Sequence, residues 1–267
     1  MPPWIYGRRR LIRYIRINRK IDSNTMANFF HISDTADAMS RAAADFFVER
    51  AKTAISRNGR FTVSLSGGST PEALFRLLAA SPWKDGIDWQ KVHIFWGDER
   101  CVPDDSPENN ARMARQALLD HVPVPENQIC RMNGSLPPEA GAALYDIRLR
   151  EFFDWKMPVF DLILLGMGDD GHTASLFPHT PVLKEKHRWA KEVYVDKLDS
   201  WRITLTAPVI QSAACIAFLV AGEKKVAALK EVLHGDYRPE EFPSQLVARN
   251  RAEVHWFLDA AAGKAVD

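Results

Sequence analysis

The sequence predicts an α/β fold in which a mainly parallel β-sheet carries helices on both faces. From Asp34 onward, short apolar runs alternate with longer amphipathic stretches, a pattern typical of strands that alternate with helices. Parallel neighbours need crossover connections, and right-handed crossovers place helices over the two faces of the sheet. Neither an internal repeat nor a long linker interrupts the pattern, so the 267 residues are expected to contain one large domain.

The first elements follow from local signals. A helix is predicted over 36–57, where apolar side chains recur on one face and Gly59 can form the C-terminal cap. A strand is predicted over 61–65, followed by a loop. Thr70 is the predicted N-cap of a helix over 71–79, whose first residue is a proline.

The remaining elements continue the same alternation. Runs rich in β-branched and aromatic residues predict strands, and amphipathic stretches predict helices. The further strands are predicted over 92–96, 160–165, 203–206, 215–220 and 254–258, and the further helices over 109–120, 138–154 and 223–233.

The first 25 residues differ from the rest of the chain in charge. They hold seven lysines and arginines against the single acid Asp22, whereas the remainder has more acids than bases. A transit segment, a solvated disordered arm and an artefact of an upstream start are three interpretations of this tail. Because the periodic pattern begins only after Met26, we expect residues 1–25 to be a disordered or artefactual tail and residues 26–267 to be a single domain.

Composition excludes several classes of protein and partner. Hydrophobic residues make up 46% and charged residues 26%, which is ordinary globular usage. The longest strongly apolar run, 213–221, is too short to span a bilayer, so no membrane partner is expected. Basic charge is concentrated only in the tail, so no nucleic-acid partner is expected. Cys101, Cys130 and Cys215 are far apart without C-x-x-C spacing, which fits a reducing cytoplasm.

Ligands of open α/β sheets bind beyond the carboxyl ends of the strands, so three loops after predicted strands matter most. The first contains Ser66, Gly67, Gly68 and Ser69. Its glycines let the backbone approach an anion, its hydroxyls can donate hydrogen bonds, and the next helix points its N-terminus at the loop. The loop therefore predicts a phosphate site, with a simple capped turn as the alternative. It lacks the lysine of a Walker loop, so triphosphate binding is poorly supported.

The second loop contains Gly97, Asp98, Glu99 and Arg100, after the very apolar strand 92–96. Arg100 could bind a phosphate through two N–H groups, and Asp98 could accept hydrogen bonds from sugar hydroxyls. The alternative is a surface cluster in which these charges pair with one another.

The third loop, 166–173, reads GMGDDGHT. It matches the dinucleotide-binding pattern G-x-G-x-x-G, but Asp169 and Asp170 would place carboxylates where a pyrophosphate must lie, and Pro178 shortens any following helix. Catalysis fits better, because a glycine-rich turn would present His172 beside Asp170, and histidine can both accept and donate a proton near neutral pH. These two side chains alone do not form a metal-ligand set, so no metal is expected.

Four segments, in their order and spacing, resemble the 6-phosphogluconolactonase family. They are SGGSTPEAL at 66–74, WGDERCVP at 96–103, GMGDDGHTASLFP at 166–178 and RITLTA at 202–207. The resemblance extends from about residue 29 to residue 258. It implies a three-layer α/β/α fold related to glucosamine-6-phosphate deaminase. It also implies hydrolysis of 6-phospho-D-glucono-1,5-lactone in the oxidative pentose phosphate pathway, without metal or cofactor. His179, where many relatives have glycine, departs from the pattern.

The resemblance also implies roles for single residues. His172 matches the family's proposed base, and Asp170 would orient it or favour its charged form. The phosphate would meet the first loop and Arg100, with Arg202 and Lys225 as further contacts, although Lys224 competes with Lys225. The predicted substrate-binding residues are Ser66, Gly67, Gly68, Ser69, Asp98, Arg100, Arg202 and Lys225.

Backbone amides of the third loop are candidate donors to the oxyanion, with Gly166, Gly168 and Gly171 as the expected positions. We expect the partner to be a small sugar-phosphate lactone, and the protein to be a monomer or small homo-oligomer.

Two other functions stay open. A glucosamine-6-phosphate deaminase would carry a glutamate five residues after the histidine, where this chain has Phe177. A non-catalytic sugar-phosphate-binding protein would keep the phosphate loop but not the pair of Asp170 and His172. A serine esterase is disfavoured because no G-x-S-x-G motif occurs.

Overall fold

The structure is a computed structural model, and it describes residues 13–21, 24–249 and 253–266. The strands are β1 (Arg13–Ile21), β2 (Asn24–Ser33), β3 (Phe61–Leu65), β4 (Val92–Trp96), β5 (Asp98–Arg100), β6 (Leu162–Leu165), β7 (Ala190–Val195), β8 (Ser200–Leu205), β9 (Cys215–Val220) and β10 (Glu253–Asp259). The α-helices are α1 (Ala36–Asn58), α2 (Ser69–Leu78), α3 (Asn110–Ala117), α4 (Pro138–Phe152), α5 (Ala207–Gln211), α6 (Val226–His234), α7 (Ser244–Ala248) and α8 (Ala260–Gly263).

Two sheets organise the described residues. The main sheet has the strand order β1-β2-β10-β9-β6-β3-β4, and only the pairing of β1 with β2 is antiparallel. This confirms the predicted α/β class and mainly parallel sheet. A small antiparallel sheet has the order β5-β8-β7. Of its strands, the sequence predicted only part of β8, because β5 has only three residues, all charged, and β7 carries two charged residues near its start.

The main sheet separates two hydrophobic cores, which makes three layers. Successive residues of β9 alternate between them: Phe218 and Val220 face one core, and Ala217 and Leu219 face the other. Helices α1, α2 and α3 bury their apolar side chains in the second of these cores. Helices α4 to α8 and the small sheet cover the first core. Fully buried parallel strands of this kind read as continuous apolar runs, which is why their positions were predictable.

The structure confirms the predicted C-terminal cap of α1 and contradicts the predicted N-cap of α2. Gly59 ends α1 in the left-handed conformation at φ 75°, as predicted. Thr35, which was not predicted as a cap, caps the start of α1 through its side chain. Helix α2 begins at Ser69 rather than Pro71, so the prediction of Thr70 as its N-cap is wrong. Gly68 is the capping residue at φ 103°, and its backbone conformation turns the chain into the helix two residues early.

The N-terminal region also differs from expectation. Strand β1 pairs with β2 along its full length, and Ile15 packs against the first core. The expected boundary at Met26 therefore falls inside β2, and Arg13–Ile21 is part of the sheet rather than of a disordered tail. Residues 1–12, 22 and 23 lie outside the described residues. Within the described ranges, no helix has the length and apolarity needed to cross a membrane.

Candidate active site

The carboxyl ends of β3, β4 and β6 open into a cleft that the small sheet closes on one side. Its volume is about 170 Å³. It holds nine of the predicted site residues, drawn from all three loops, from β8 and from the turn after β9. The lining residues are Ser66, Gly67, Asp98, Arg100, Asn110, Gly166, Met167, Gly168, His172, Ala174, Arg202 and Lys225. Lys225, rather than Lys224, is thus the lysine of its pair that faces the cleft.

Four predicted residues lie beside the cleft rather than in its wall. Gly68 caps α2, and Ser69 is the first residue of that helix, where it borders a neighbouring depression. Asp170 contacts the ring of His172 but does not line the cleft. Gly171 has φ 76°, and a Cβ there would lie 2.9 Å from the ring of Phe242. Glycine is therefore needed at position 171 for the conformation of the turn.

The His172 ring is held by a carboxylate on one side and an aromatic face on the other. Its Nδ1 lies 2.5 Å from Oδ1 of Asp170, and the ring stacks on Phe177 with centroids 3.9 Å apart. Burial alone would raise the pKa of Asp170, but hydrogen bonds from His172 and Lys197 outweigh it and hold the pKa well below the ordinary range. An ionised carboxylate only accepts hydrogen bonds, so Nδ1 carries a proton, and in the neutral form of the ring the lone pair is on Nε2.

Lys197 is a contact that the sequence did not predict. It lies in the turn between β7 and β8, and its Nζ donates to Oδ2 of Asp170 at 3.1 Å. The carboxylate of Asp170 thus receives hydrogen bonds from two side chains. Because neither β7 nor this turn was predicted, nothing in the sequence placed Lys197 near the third loop.

The third loop is compact, and its hydrogen bonds restrict the candidate oxyanion donors. The amide N–H of Gly168 donates to the carbonyl of His172 at 2.9 Å, and that of Gly171 donates to the carbonyl of Gly168 at 3.2 Å. The oxyanion role expected of Gly168 and Gly171 is therefore not supported, since both amides are already engaged. A Cβ on Gly168 would lie 2.0 Å from Nδ1 of His172, so glycine is required there.

Two arginines lie opposite each other on the small sheet. Arg100 of β5 is the register partner of Arg202 of β8. The Nε atom of each is buried and has no hydrogen-bond partner among the described residues. Burial lowers the pKa of Arg202, and the charge of Arg100 lowers it further, although Asp98 acts in the opposite direction. Buried unpaired donors on two adjacent cations suit an anionic ligand such as a phosphate.

The first loop meets α3 at very close range. A Cβ on Gly67 would lie 1.9 Å from Oδ1 of Asn110, so only glycine fits beneath this amide. The Nδ2 of Asn110 donates to the carbonyl of Asp98 at 3.0 Å. Ser175 donates to the Asp98 carboxylate at 2.6 Å. Asn110 was missed because no local signal distinguishes it from any other first residue of a helix.

A second cluster of chemical interest lies at the opposite end of the main sheet. Cys215, Glu253 and His255 each place one potential metal ligand within 4.8 Å of the others. Two of these groups already have protein partners: His255 contacts His31 at 2.8 Å and Glu253 at 2.6 Å, and Arg50 lies 3.3 Å from Glu253. Burial raises the pKa of the Cys215 thiol to about 12. His31, His255, Glu253 and Arg50 therefore form an internal network, and the protonated thiol of Cys215 lies beside it.

Known proteins share both sequence and fold with this chain. The family model described as glucosamine-6-phosphate isomerases/6-phosphogluconolactonase matches residues 34–256. A 6-phosphogluconolactonase of Synechocystis sp. is 43% identical over 220 residues, which cover 80% of this chain and 88% of that protein. One of Haemophilus influenzae is 37% identical over 200 residues, covering 75% and 85%.

A solved structure of 6-phosphogluconolactonase from Trypanosoma cruzi superposes with a TM-score of 0.79 at 28% identity, covering 88% of this chain and 95% of that one. The structure from Thermotoga maritima gives a TM-score of 0.76 at 26% identity, covering 87% and 99%. The similarity therefore includes the strands and loops that form the cleft.

Proposed function

The chain belongs to the glucosamine-6-phosphate isomerase/6-phosphogluconolactonase family, and on that basis we propose that it hydrolyses 6-phospho-D-glucono-1,5-lactone to 6-phosphogluconate. It is a lactone hydrolase of sugar-phosphate metabolism. The observation that carries the proposal is one cleft holding a proton-transfer pair and an anion-binding pair. His172 and Asp170 form the first, and Arg100 and Arg202 form the second.

The phosphate group of the lactone binds between Arg100 and Arg202. Their buried, unpartnered Nε groups would donate to its oxygens, and Lys225 lines the same cleft. The loop at Ser66 and Gly67 adds donors beside the N-terminus of α2. Phosphate binding far from the reacting carbon is useful, because its binding energy can hold the lactone in a reactive geometry.

His172 is the proposed general base. Its Nε2 takes a proton from water while the water oxygen attacks C1 of the lactone, which gives a tetrahedral intermediate with negative charge on the former carbonyl oxygen. When that intermediate collapses, the bond between C1 and the ring oxygen breaks, and His172 returns the proton to the ring oxygen. The ionised carboxylate of Asp170 holds the ring and stabilises the transient imidazolium.

The oxyanion is proposed to be stabilised by backbone amides at the start of the third loop, where Gly166 and Met167 line the cleft. The charge pattern also favours a mechanism without a metal, because three basic side chains in the wall are poor surroundings for a cation. Those side chains are Arg100, Arg202 and Lys225.

We further propose that the enzyme acts in the oxidative pentose phosphate pathway in the cytoplasm, as a monomer or small homo-oligomer, without nucleic-acid or membrane partners. The three cysteines form no disulfide among the described residues, which fits a reducing compartment. Catalysis is proposed to reside in residues 26–267.

A glucosamine-6-phosphate deaminase activity is the alternative within the same family. The deaminase pattern needs a carboxylate at the position of Phe177, whose ring here stacks on His172. The apolar ring of Phe177 at this position therefore favours lactonase activity over deaminase activity.

The test is an assay on lactone generated in situ, with formation of 6-phosphogluconate followed through a coupled dehydrogenase. Spontaneous hydrolysis is subtracted using a blank without enzyme. We expect acceleration above this background, and no release of ammonia from glucosamine 6-phosphate. Ammonia release without lactone hydrolysis would favour the deaminase, and binding of sugar phosphate without either reaction would favour a sensor.

A further inference from the structure

Glu99 is a fully buried acid that joins the small sheet to the helix at the cleft. It lies in β5 between two residues of the cleft wall, and its exposed fraction is 0%. One carboxyl oxygen accepts the backbone N–H of Asn110 at 2.7 Å and that of Arg100 at 2.9 Å. The other accepts the N–H of Ala111 at 2.8 Å. Both carboxyl oxygens are thus used by backbone donors.

This buried acid has no basic side chain as an ion-pair partner among the described residues. Burial raises the pKa of Glu99 to about 7 even though the three N–H groups act to lower it. Burying an unpaired acid costs stability, so a merely structural link between a strand and a helix would be made more favourably by a neutral group. The presence of an acid at position 99 is therefore better accounted for by the positions in which its three contacts hold the neighbouring residues.

Glu99 fixes the relative positions of the two phosphate-binding elements. Asn110, held by its backbone N–H, packs its side-chain oxygen against Gly67 of the first loop. Arg100, held by its own N–H, has its guanidinium directed by a 2.6 Å bond from Nη1 to the carbonyl of Glu108. The carboxyl group thus sets how far Arg100 lies from the loop at Gly67.

We propose that Glu99 is a positioning residue for phosphate recognition, which holds Arg100 and the N-terminus of α3 at the spacing that a phosphate group needs. The inference rests on the proposed function for the identity of the substrate. Glu99 touches no substrate and takes no part in proton transfer at C1. Its replacement is therefore expected to weaken phosphate binding and to spare the chemical step.

The test compares Glu99→Gln with Asn109→Ala. Glutamine keeps the size, but its amide nitrogen cannot accept a backbone N–H, so at least one of the three contacts is lost. Asn109 caps the same helix by accepting a 2.8 Å bond from the N–H of Arg112; among the described residues its side chain forms no hydrogen bond with Glu99, and it does not line the cleft. Asn109→Ala therefore removes one capping bond of α3 but leaves the three backbone N–H contacts of Glu99 in place.

For Glu99→Gln we expect KM for the phosphorylated lactone and Kd for 6-phosphogluconate to rise about tenfold, the size of one hydrogen bond to a charged group. We expect kcat to change less than about threefold and turnover of unphosphorylated gluconolactone to stay as in the parent. Asn109→Ala should keep the parent KM. Equal losses on both lactones, or an unchanged KM, would overturn the inference.

Calorimetric titration with inorganic phosphate separates this inference from the proposed function. If the parent protein does not hydrolyse the lactone but binds phosphate more tightly than Glu99→Gln, the proposed function fails and the positioning role stands. If Glu99→Gln does not fold, Glu99→Asp serves in its place, because it keeps both oxygens and shortens the reach. Failure of both variants to fold, with Asn109→Ala folded, would assign Glu99 to stability alone.

Discussion

Arg100 and Arg202 are cross-strand partners whose buried Nε atoms both lack a hydrogen-bond partner among the described residues. Like charges directly opposite each other destabilise a sheet, and unpaired buried donors add a desolvation cost. A phosphate between the two guanidinium groups would offset both costs. Substrate binding is therefore expected to relieve a repulsion that the ligand-free enzyme carries.

The first prediction concerns discrimination by this pair. Arg100→Ala should lower kcat/KM for the phosphorylated lactone about 10- to 100-fold, because hydrogen bonds to charged groups are worth ~1.5 to 3 kcal/mol. Unphosphorylated gluconolactone should be affected far less. The measurement is kcat/KM on both lactones. Arg115→Ala, which removes a surface arginine paired with Asp120 and Glu126, is the matched control. Equal penalties on the two lactones would make Arg100 a structural residue.

The second prediction concerns proton transfer. His172→Asn should lower kcat ~10²- to 10⁴-fold, the usual contribution of positioned acid–base catalysis, while phosphate affinity stays nearly unchanged. Asp170→Asn should lower kcat less, since the base survives. Rates are compared after subtraction of spontaneous hydrolysis. His179→Asn is the control, because His179 has φ 61° and asparagine tolerates that conformation. Near-normal kcat in His172→Asn would remove histidine from the mechanism.

The third prediction concerns the close packing of the third loop. In Gly168→Ala the new Cβ would lie 2.0 Å from Nδ1 of His172 and 2.5 Å from Oδ1 of Asp170, so the hydrogen bond between them must break. We expect kcat to fall at least tenfold and KM to change little. Gly97→Ala places its Cβ no closer than 3.5 Å to any neighbour and should retain activity. Steady-state kinetics on both variants provides the comparison, and similar kcat values would contradict the expected clash.

The fourth prediction concerns pH. Because the pKa of Glu99 is raised from 4.5 to about 7 on folding, the unfolded chain releases this proton at lower pH than the folded protein. The free energy of unfolding should therefore fall as pH rises from about 4.5 to 7, by about 3 kcal/mol at most. Urea unfolding at several pH values should show this decline relative to Glu99→Gln. Parallel pH profiles for the two proteins would be inconsistent with a raised pKa.

The fifth prediction concerns the N-terminal strand. A chain that begins at Met26 lacks β1, and β2 becomes the edge of the sheet. The cleft lies at the ends of β3, β4 and β6, away from that edge, so kcat and KM should be retained. The contact of Ile15 with the core is lost, and Tm should fall by a few degrees, at about 2 to 4 °C per kcal/mol. An unchanged Tm would mean that β1 adds nothing to stability, and a loss of kcat would place β1 in the function.

Sequence patterns predicted the central strands of the main sheet well, and the small sheet poorly. Strands β3, β4 and β9 have the predicted bounds because they are buried apolar runs between helices. Strand β7 begins with an alanine and two adjacent charged residues and ends with only three β-formers, and β5 has three charged residues, so neither stands out without its partner β8. Strand β1 was obscured because its many arginines suggested a solvated tail.

The residues of the site also divide into those that the sequence predicted and those that it did not. Side chains in loops after central strands, such as Arg100 and His172, could be found from donor and acid–base chemistry. Lys197, Asn110 and Glu99 could not, because their importance depends on which chain segments meet in space. Lys197, for example, reaches Asp170 only because the turn between β7 and β8 overhangs the third loop.

The cleft lies between two separate sheets, so a ligand bound in it is expected to affect local unfolding of the protein. The small sheet has three strands of three to six residues, whereas the main sheet has seven strands, so we expect the small sheet to open locally at a lower free energy than the main sheet. A bound phosphorylated ligand would contact Arg100 and Arg202 on the small sheet and the loops of the main sheet together. Mass action would then suppress that local opening, so occupancy of the site would slow amide exchange and proteolytic cleavage in β7 and β8.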